Sequence, residues 1–465
     1  MNESLGRNES LGRNPVLPLD IYIPDGEAHV FGDTLYVYGS RDMHGDTYCS
    51  EQYNVVSTKD MRHWTVHDKS LDGQDIHWVD AKKRKIYPVA DFNMRNPTPF
   101  FRNMLKEMGV PIGLIPKFLR LKTIDIGKYT PNKHTLFAPD CIEKNGKYYL
   151  YFCLSDWSEG VAVSDSPVGP FQNPQQMACA GIDPAIFTDD DGKSYYYWGQ
   201  FRSCGVELNE DMISFDDTKV VKHLLTEEEH GFHEGSSLRK RNNIYYYVYP
   251  CIYREGKPTC LAYATGGSPL GPFVYGGIII DNAKCDPESW NIHGSIECFH
   301  GQWYVFYHRS SNASRYYRRL CVEKIQFAQD GSIPEVKMTS QGAGEPYAPG
   351  EIIYGYQACG LRGTIYIGDD EAKGERLVNI SSGDEAVFRY VRSSKSWNEI
   401  TVSGSGSGTI QIMMNDTVAG EIVIDAKTGQ RQAVTSKLQM PAGEYELKLV
   451  FIKSDQLEIS EIQLS

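Results

Sequence analysis

GIDPAIFTDDDGKSYYYWG, Gly181 to Gly199, decides the fold. It sets a carboxylate, Asp183, beside a proline and runs through an apolar segment from Ala185 to Phe187. It then turns at DDDG and leaves through an aromatic segment, Ser194 to Trp198. Apolar and aromatic runs around an Asp/Gly turn predict two antiparallel strands joined tightly. The same grammar returns as HVFGDTLYVYG from His29, CIEKNGKYYLYF from Cys141, LRKRNNIYYYVY from Leu238 and ECFHGQWYVFYH from Glu297. Five such units, each an antiparallel four-stranded sheet that cannot bury both faces alone, predict a radial arrangement, a five-bladed β-propeller.

Outward from that stretch, the first unit begins at Pro15, the second at Phe137, the fourth at Glu234 and the fifth at Gly294. STKDMRHWTVHD, SDSPVGPF and GGSPLGPF supply outer turns. Residues 1–14 carry NESLGR twice and read as a disordered leader or tag, so the propeller is expected over 15–340. Between 80 and 134 the pattern breaks into a basic insertion with prolines at 111 and 116 and no strand alternation. A lid, a subunit contact and a packed decoration all fit it. Beyond GAGEPYAPG, residues 350–465 read as short alternating strands such as NEITVSG, GEIVIDA and YELKLVFIK, separated by SGSGSG, TG and PAGE turns. That texture predicts a second domain, a jelly-roll-like β-sandwich, and makes the chain all-β.

The bulk numbers narrow the function. Tyrosine (30) and phenylalanine (18) are abundant, as pleated strands prefer. A net charge of −13 argues against a nucleic-acid partner, which requires a concentrated basic face, and fits a neutral substrate. No apolar run approaches the roughly 18 residues of a membrane span, so no membrane partner is expected. Eleven cysteines without CxxC pairs or zinc spacing read as reduced, buried thiols. A cytoplasmic location follows as the expectation, or a secreted one if a signal peptide was removed.

Three carboxylates occupy one structural position in three units: Asp25 in IPDGEAHVF, Asp183 in GIDPAIF and Glu234 in FHEGSSL. Singly, each reads as a turn former or solvated charge. Together, at the entries of the innermost strands of a propeller, they are expected to meet in one pocket at one end of the channel.

IPDGEAHVFGDTLYVYGS, LFAPDCIEKNGKYYLYF, GIDPAIFTDDDGKSYYYWG, FHEGSSLRKRNNIYYYVY and HGSIECFHGQWYVFYHR, in that order, resemble the blade signatures of glycoside hydrolase family 43. The resemblance covers about Pro15 to Ile333. It departs from the family at Phe137, where a tryptophan is usual, and in the length of the 80–134 insertion. It implies an inverting glycosidase in which one carboxylate deprotonates a water and a protonated acid across the sugar delivers a proton to the leaving oxygen. By family position Asp25 is the general base, Glu234 the general acid, and Asp183 raises the pKa of the acid and orients it. His293, in NIHGSIE, resembles the family histidine that points along the propeller axis toward a hydrated cation. A calcium or other cation in the channel is therefore allowed, though no cofactor is required, and a hydrogen-bonded histidine that positions the acids fits equally. One of Arg318 and Arg319 should face the pocket and bind sugar hydroxyls while tuning the base, with Arg318 favoured, because strand neighbours point to opposite faces. Trp198 is a candidate sugar-stacking residue.

The C-terminal domain resembles family 6 carbohydrate-binding modules in strand content, with Tyr390 and Trp397 available as a sugar-binding pair. The expected activity is removal of α-L-arabinofuranosyl or β-D-xylosyl residues from plant-cell-wall oligosaccharides. Exo-galactanase or endo-arabinanase action on the same scaffold, and a non-catalytic glycan-binding propeller, remain the alternatives.

Overall fold

The computed structural model describes residues 12–82, 85–87, 132–254, 259–368, 374–426 and 429–465. Most of the 80–134 insertion lies outside the described residues. Five antiparallel sheets follow one another along the chain. The first orders β1 (Glu27–Phe31), β2 (Thr34–Tyr38), β3 (Gln52–Thr58) and β4 (Trp64–Asp72) from the inside out. The second is β5 (Asp140–Lys144), β6 (Lys147–Cys153), β7 (Ser158–Ser164) and β8 (Gln172–Ala180). The third is β9 (Ala185–Thr188), β10 (Ser194–Trp198), β11 (Arg202–Glu207) and β12 (Val221–Thr226). The fourth is β13 (Ser237–Arg241), β14 (Ile244–Cys251), β15 (Cys260–Gly266) and β16 (Phe273–Ile280). The fifth is β17 (Ser295–Phe299), β18 (Gln302–Ser311) and β19 (Ser314–Ile325). The innermost strands touch in a closed cycle, β1 to β5 to β9 to β13 to β17 and back to β1. A parallel bridge between Gly26 and Gly294 joins the first and last blades at the mouth of the ring.

Local chemistry makes the hairpins. Asn145–Gly146, Asn242–Asn243 and His300–Gly301 all take positive φ between paired strands, as two-residue turns matched to strand twist require. The aromatic runs follow from blade stacking, because each sheet buries both faces against its neighbours. On β10, Tyr196 and Trp198 pack toward the second blade while Tyr195 and Tyr197 pack toward the fourth. Tyr246 and Tyr247 divide in the same way between the fifth and third blades.

Three expectations are corrected here. The fifth blade has three strands rather than four, and the N-terminal segment completes its edge. Val16 N–H donates to Leu320 O at 3.1 Å, and the Asn14 side chain accepts from Val322 N and donates to Val322 O, both at 2.9 Å. Residues 12–14 therefore belong to the propeller, which covers an edge that would otherwise offer unpaired backbone groups. The SGSGSG stretch is no turn, since it lies inside one long strand, Trp397–Met414.

The C-terminal domain comprises β20 (Ile352–Tyr354), β21 (Gly360–Arg362), β22 (Tyr366–Gly368), β23 (Arg376–Val378), β24 (Glu385–Ser393), β25 (Trp397–Met414), β26 (Thr417–Asp425), β27 (Gln432–Met440) and β28 (Gly443–Leu464). β25 and β28 pair along most of their length, and β27 and β26 take successive halves of β25, so the sheet folds over one apolar core. The backbones of β25 and β28 come so close that a Cβ on Gly406 would sit 2.1 Å from Gln456 O, and one on Gly404 would sit 2.3 Å from Glu458 O. Trp397 is 1% exposed within this core, so it is unavailable to stack on sugar and the expected Tyr390–Trp397 pair is not formed as a binding site.

Among the described residues no helix is long and apolar enough to cross a membrane. The described residues include all eleven cysteines; no disulfide joins them, and all but Cys298 are buried.

Behind the site, Glu159 is buried and accepts hydrogen bonds from the Tyr196 hydroxyl and, at 3.4 Å, the Cys179 thiol. Burial pushes its carboxyl up to about 8 in spite of those bonds. Between the ordinary carboxyl range and that value the folded chain holds a proton the unfolded chain has lost, so this group's contribution to stability fades as pH rises toward 8. Denaturant titrations at pH 5 and pH 8 should show wild type losing stability relative to Glu159→Gln across the interval, at up to about 1.4 kcal/mol per pH unit.

Candidate active site

Asp25 and Asp183 each stand two residues ahead of an inner strand, β1 and β9, and Glu234 stands three ahead of β13. Both aspartates take left-handed backbone, φ 58° and 52°, which turns their side chains away from the strand path toward the mouth. Glu234 is fixed differently. The short helix α1 (Glu227–His230) ends at Gly231, Phe232 bridges Cys251, and His233 N–H donates to Pro250 O at 3.0 Å. Its carboxylate accepts from Gln200 Nε2 at 2.9 Å.

His293, two residues ahead of β17, stands at the centre of the three acids. Its Nδ1 lies 3.9 Å from Asp25 Oδ1 and 3.6 Å from Asp183 Oδ2. Its Nε2 lies against Gly235, where an added Cβ would come within 2.7 Å. Both ring nitrogens therefore face the acid cluster. Among the described residues, one set of potential metal-ligating atoms converges within 4.8 Å, and it is Glu27, His29 and Asp140, deeper in the channel, without His293. That set is already paired. His29 Nε2 meets Asp140 Oδ1 at 2.6 Å, and Arg239 bonds Glu27 and Glu297 at 2.8 Å each. The groups nearest the His293 Nδ1 are the carboxylates of Asp25 and Asp183.

Arg318 faces the mouth and Arg319 the opposite side, where it meets Tyr22 and Glu375 of the second domain. Rather than waiting for sugar, Arg318 is fully engaged. It donates from Nη1 to Asp25 Oδ1 at 2.9 Å and grips Asp42 with Nε and Nη2, both at 2.9 Å. His308 completes the setting of Asp25. Its Nδ1 accepts from Asp25 N–H at 3.4 Å, so Nε2 carries the proton and donates to Asn291 O at 3.0 Å.

The electrostatics separate the acids. Burial alone would raise Asp25, but the Arg318 guanidinium, foremost among its neighbours, holds it below the ordinary carboxylate range. Asp183 is driven well above that range by burial, by Glu234 and by Asp25. The repulsion between neighbouring acids is thus felt at Asp183. Burial lowers His293 and takes His308 down to about 3, so both imidazoles are neutral.

Trp198 does not reach the site. It is 3% exposed and stacks on Tyr196 at 5.6 Å between the second and third blades, so its expected sugar contact is corrected to a core role. The sequence reading missed Asp42, His308, Gln200 and Tyr48. Of these only the HR pair closing VFYHR gave a signal, a charged pair ending an otherwise apolar strand. Tyr48 lies under the Arg318 guanidinium, 4.8 Å from its ring centre, and meets Tyr316 edge-on at 4.8 Å.

The sequence profile of the glycosyl hydrolases family 43 matches residues 118–333. A beta-xylosidase of Xylanibacter ruminicola is 32% identical over 369 residues, spanning 69% of this chain and 98% of that protein. The chain belongs to glycosyl hydrolase family 43. A family 43 beta-xylosidase/alpha-arabinofuranosidase from a compost microbial metagenome, solved with xylotriose, is 27% identical. It superposes with a TM-score of 0.50 over 70% of this chain and 97% of that one. The Bacillus subtilis arabinoxylan arabinofuranohydrolase, at 21% identity and a TM-score of 0.50, covers 98% of both chains and so shares the fold through the second domain as well. The family 43 chain is accordingly a glycoside hydrolase.

Since Arg318 favours the ionised form of Asp25, Arg318→Lys should raise the pH at which Asp25 ionises. With Asp25 in the role expected of it, the acid limb of kcat/KM against pH moves upward. Loss of the forked grip should also lower kcat/KM by about tenfold to a hundredfold. A pH–rate profile with an unmoved acid limb would show that Arg318 does not tune this group.

Proposed function

We propose that this hydrolase removes α-L-arabinofuranosyl or β-D-xylosyl residues from the non-reducing ends of plant-cell-wall oligosaccharides, with inversion at the anomeric carbon. The observation that carries the reading is the gathering of Asp25, Asp183 and Glu234 around His293 at one mouth of the ring. The similarity to xylosidases and to the xylotriose-bound enzyme supports the choice of pentose.

The acids divide the work by environment. Asp25, kept ionised by Arg318, is the general base: it takes a proton from the water that attacks the anomeric carbon. Glu234 is the general acid. One of its oxygens, Oε2, is occupied by Gln200, which leaves the other to deliver a proton to the departing oxygen. Asp183, held well above the ordinary carboxylate range by burial and its acidic neighbours, orients Glu234 without transferring a proton to substrate. Breaking the glycosidic bond thus consumes one water, whose hydroxyl goes to the sugar and whose proton goes to Asp25, while Glu234 protonates the leaving chain.

Aryl α-L-arabinofuranoside, β-D-xyloside and β-D-galactoside, offered in parallel, test the reading. Turnover is expected on one or both pentosides, with product of inverted anomeric configuration by NMR. Asp25→Asn and Glu234→Gln should each lower kcat by about a hundredfold to ten-thousandfold, with substrate binding largely kept. Near-normal turnover by either purified variant overturns its assignment, preference for the galactoside selects the exo-galactanase alternative, and hydrolysis of none selects a glycan-binding propeller.

A further inference from the structure

Where the two domains meet, the hairpin of β18 and β19 faces the sandwich across a cavity of about 690 Å³. Asn312, Arg315 and Tyr316 line it from the propeller, and Thr364, Tyr366 and Asn379 from the sandwich. That volume lies within the roughly 300–1,000 Å³ of small-molecule sites. The walls join aromatic rings to planar amide groups, a hydroxyl and the Arg315–Glu288 ion pair, whose charges offset each other, a chemistry suited to a neutral, polyhydroxylated ring.

The cavity adjoins the acids. Along β19, Tyr316 shares the face of Arg318, two residues on, and Tyr317, on the face of Arg319, lines the cavity as well. Tyr316 meets Tyr48, and Tyr48 meets Arg318. One aromatic pair therefore separates the cavity from the catalytic mouth. The Tyr48 ring thus lies between Tyr316 at the cavity and the Arg318 guanidinium at the mouth. Asp25 is anchored on the inner side by Arg318 and His308. Beyond the cavity, Arg315 stacks over the ring of Trp290 at 4.5 Å, and Trp290 is 44% exposed. The junction is held in register by Asn312 N–H donating to Ile367 O at 2.8 Å, by Leu361 N–H donating to Lys284 O at 2.6 Å and by the Arg319–Glu375 ion pair.

We propose that this junction binds the leaving-group side of the oligosaccharide, so that the sandwich domain selects substrates by the chain that departs. The inference rests on the hydrolase reading above: the cavity adjoins the catalytic mouth through Tyr316 and Tyr48, so a chain that leaves the mouth on this side enters the junction. Trp290 and Tyr366 offer faces for successive sugar rings, with Arg315 and Asn379 available to their hydroxyls. The second domain would then act on turnover directly instead of as an independent glycan anchor.

The test compares the aryl pentoside that wild type prefers with the matching oligosaccharide, xylotetraose or arabinofuranosyl-xylotetraose, in Trp290→Ala and Tyr366→Ala. The ratio of kcat/KM on oligosaccharide to kcat/KM on aryl glycoside should fall about tenfold in each variant, mainly through KM. An unchanged ratio, or a parallel loss on both substrates, overturns the proposal. Calorimetric titration of xylotetraose into Glu234→Gln and into its double variants with Trp290→Ala and Tyr366→Ala decides the same question without turnover. Weaker binding in the double variants supports the junction site even if wild type cleaves neither substrate, and equal binding rejects it. Failure of the hydrolase reading is thereby kept separate.

Discussion

A carboxylate buried at the mouth of a ring keeps its charge only if a cation is buried beside it, and in this chain that cation is Arg318. It lies on the last strand of the fifth blade, while both of its partners, Asp25 and Asp42, belong to the first. The ion pairs that hold Asp25 ionised therefore also tie the two ends of the propeller together, next to the bridge between Gly26 and Gly294. Removing one member of such a buried network typically costs about 3–5 kcal/mol, since the partners are left charged and dry. Ring closure and the ionisation state of the site are in this sense one property, and a change at either carries over to the other.

Below the mouth the channel is filled. Along β1 the inward positions after Asp25 are Glu27 and His29, and they meet Asp140, Arg239 and Glu297 from three other blades. Burial raises Glu27 and Asp140 to about 7 and lowers His29 to about 4, so this layer approaches neutrality by sharing protons and by the single guanidinium of Arg239. The result is a polar floor whose groups are bonded to one another. The acids at the mouth therefore lie above a closed floor and not over an open channel.

The features legible in the sequence are those with a local cause. Turn pairs such as Asn145–Gly146 and the period-two aromatics gave the five hairpins, and the position of an acid ahead of an inner strand needed only the repeat. The alternation along β19 separated Arg318 from Arg319 in the same way. What escaped depends on partners distant in the chain. Trp198 reads as a stacking residue until the second blade closes over it, and Trp397 reads likewise until the sheet folds. Asp42 is a lone acid after a strand until an arginine 276 positions away reaches it. Asn14 looks like part of a polar leader because the edge it covers, at Val322, forms only when the last blade is in place. The glycines of SGSGSG imitate a linker because nothing nearby reveals that another backbone will lie against them.

The left-handed backbone at Asp25 and Asp183 also governs which acid each position can carry. Short side chains that bond locally adopt that conformation most readily, although this chain also places longer ones such as Met61 and Trp157 there. Glu234 keeps an ordinary backbone and passes the positive φ to Gly235, so the longer acid appears where the main chain leaves it room to reach. Torsion angles thus favour the shorter acid at two of the three corners before any proton moves, and an exchange of Asp25 or Asp183 for glutamate would load that backbone as well as lengthen the arm.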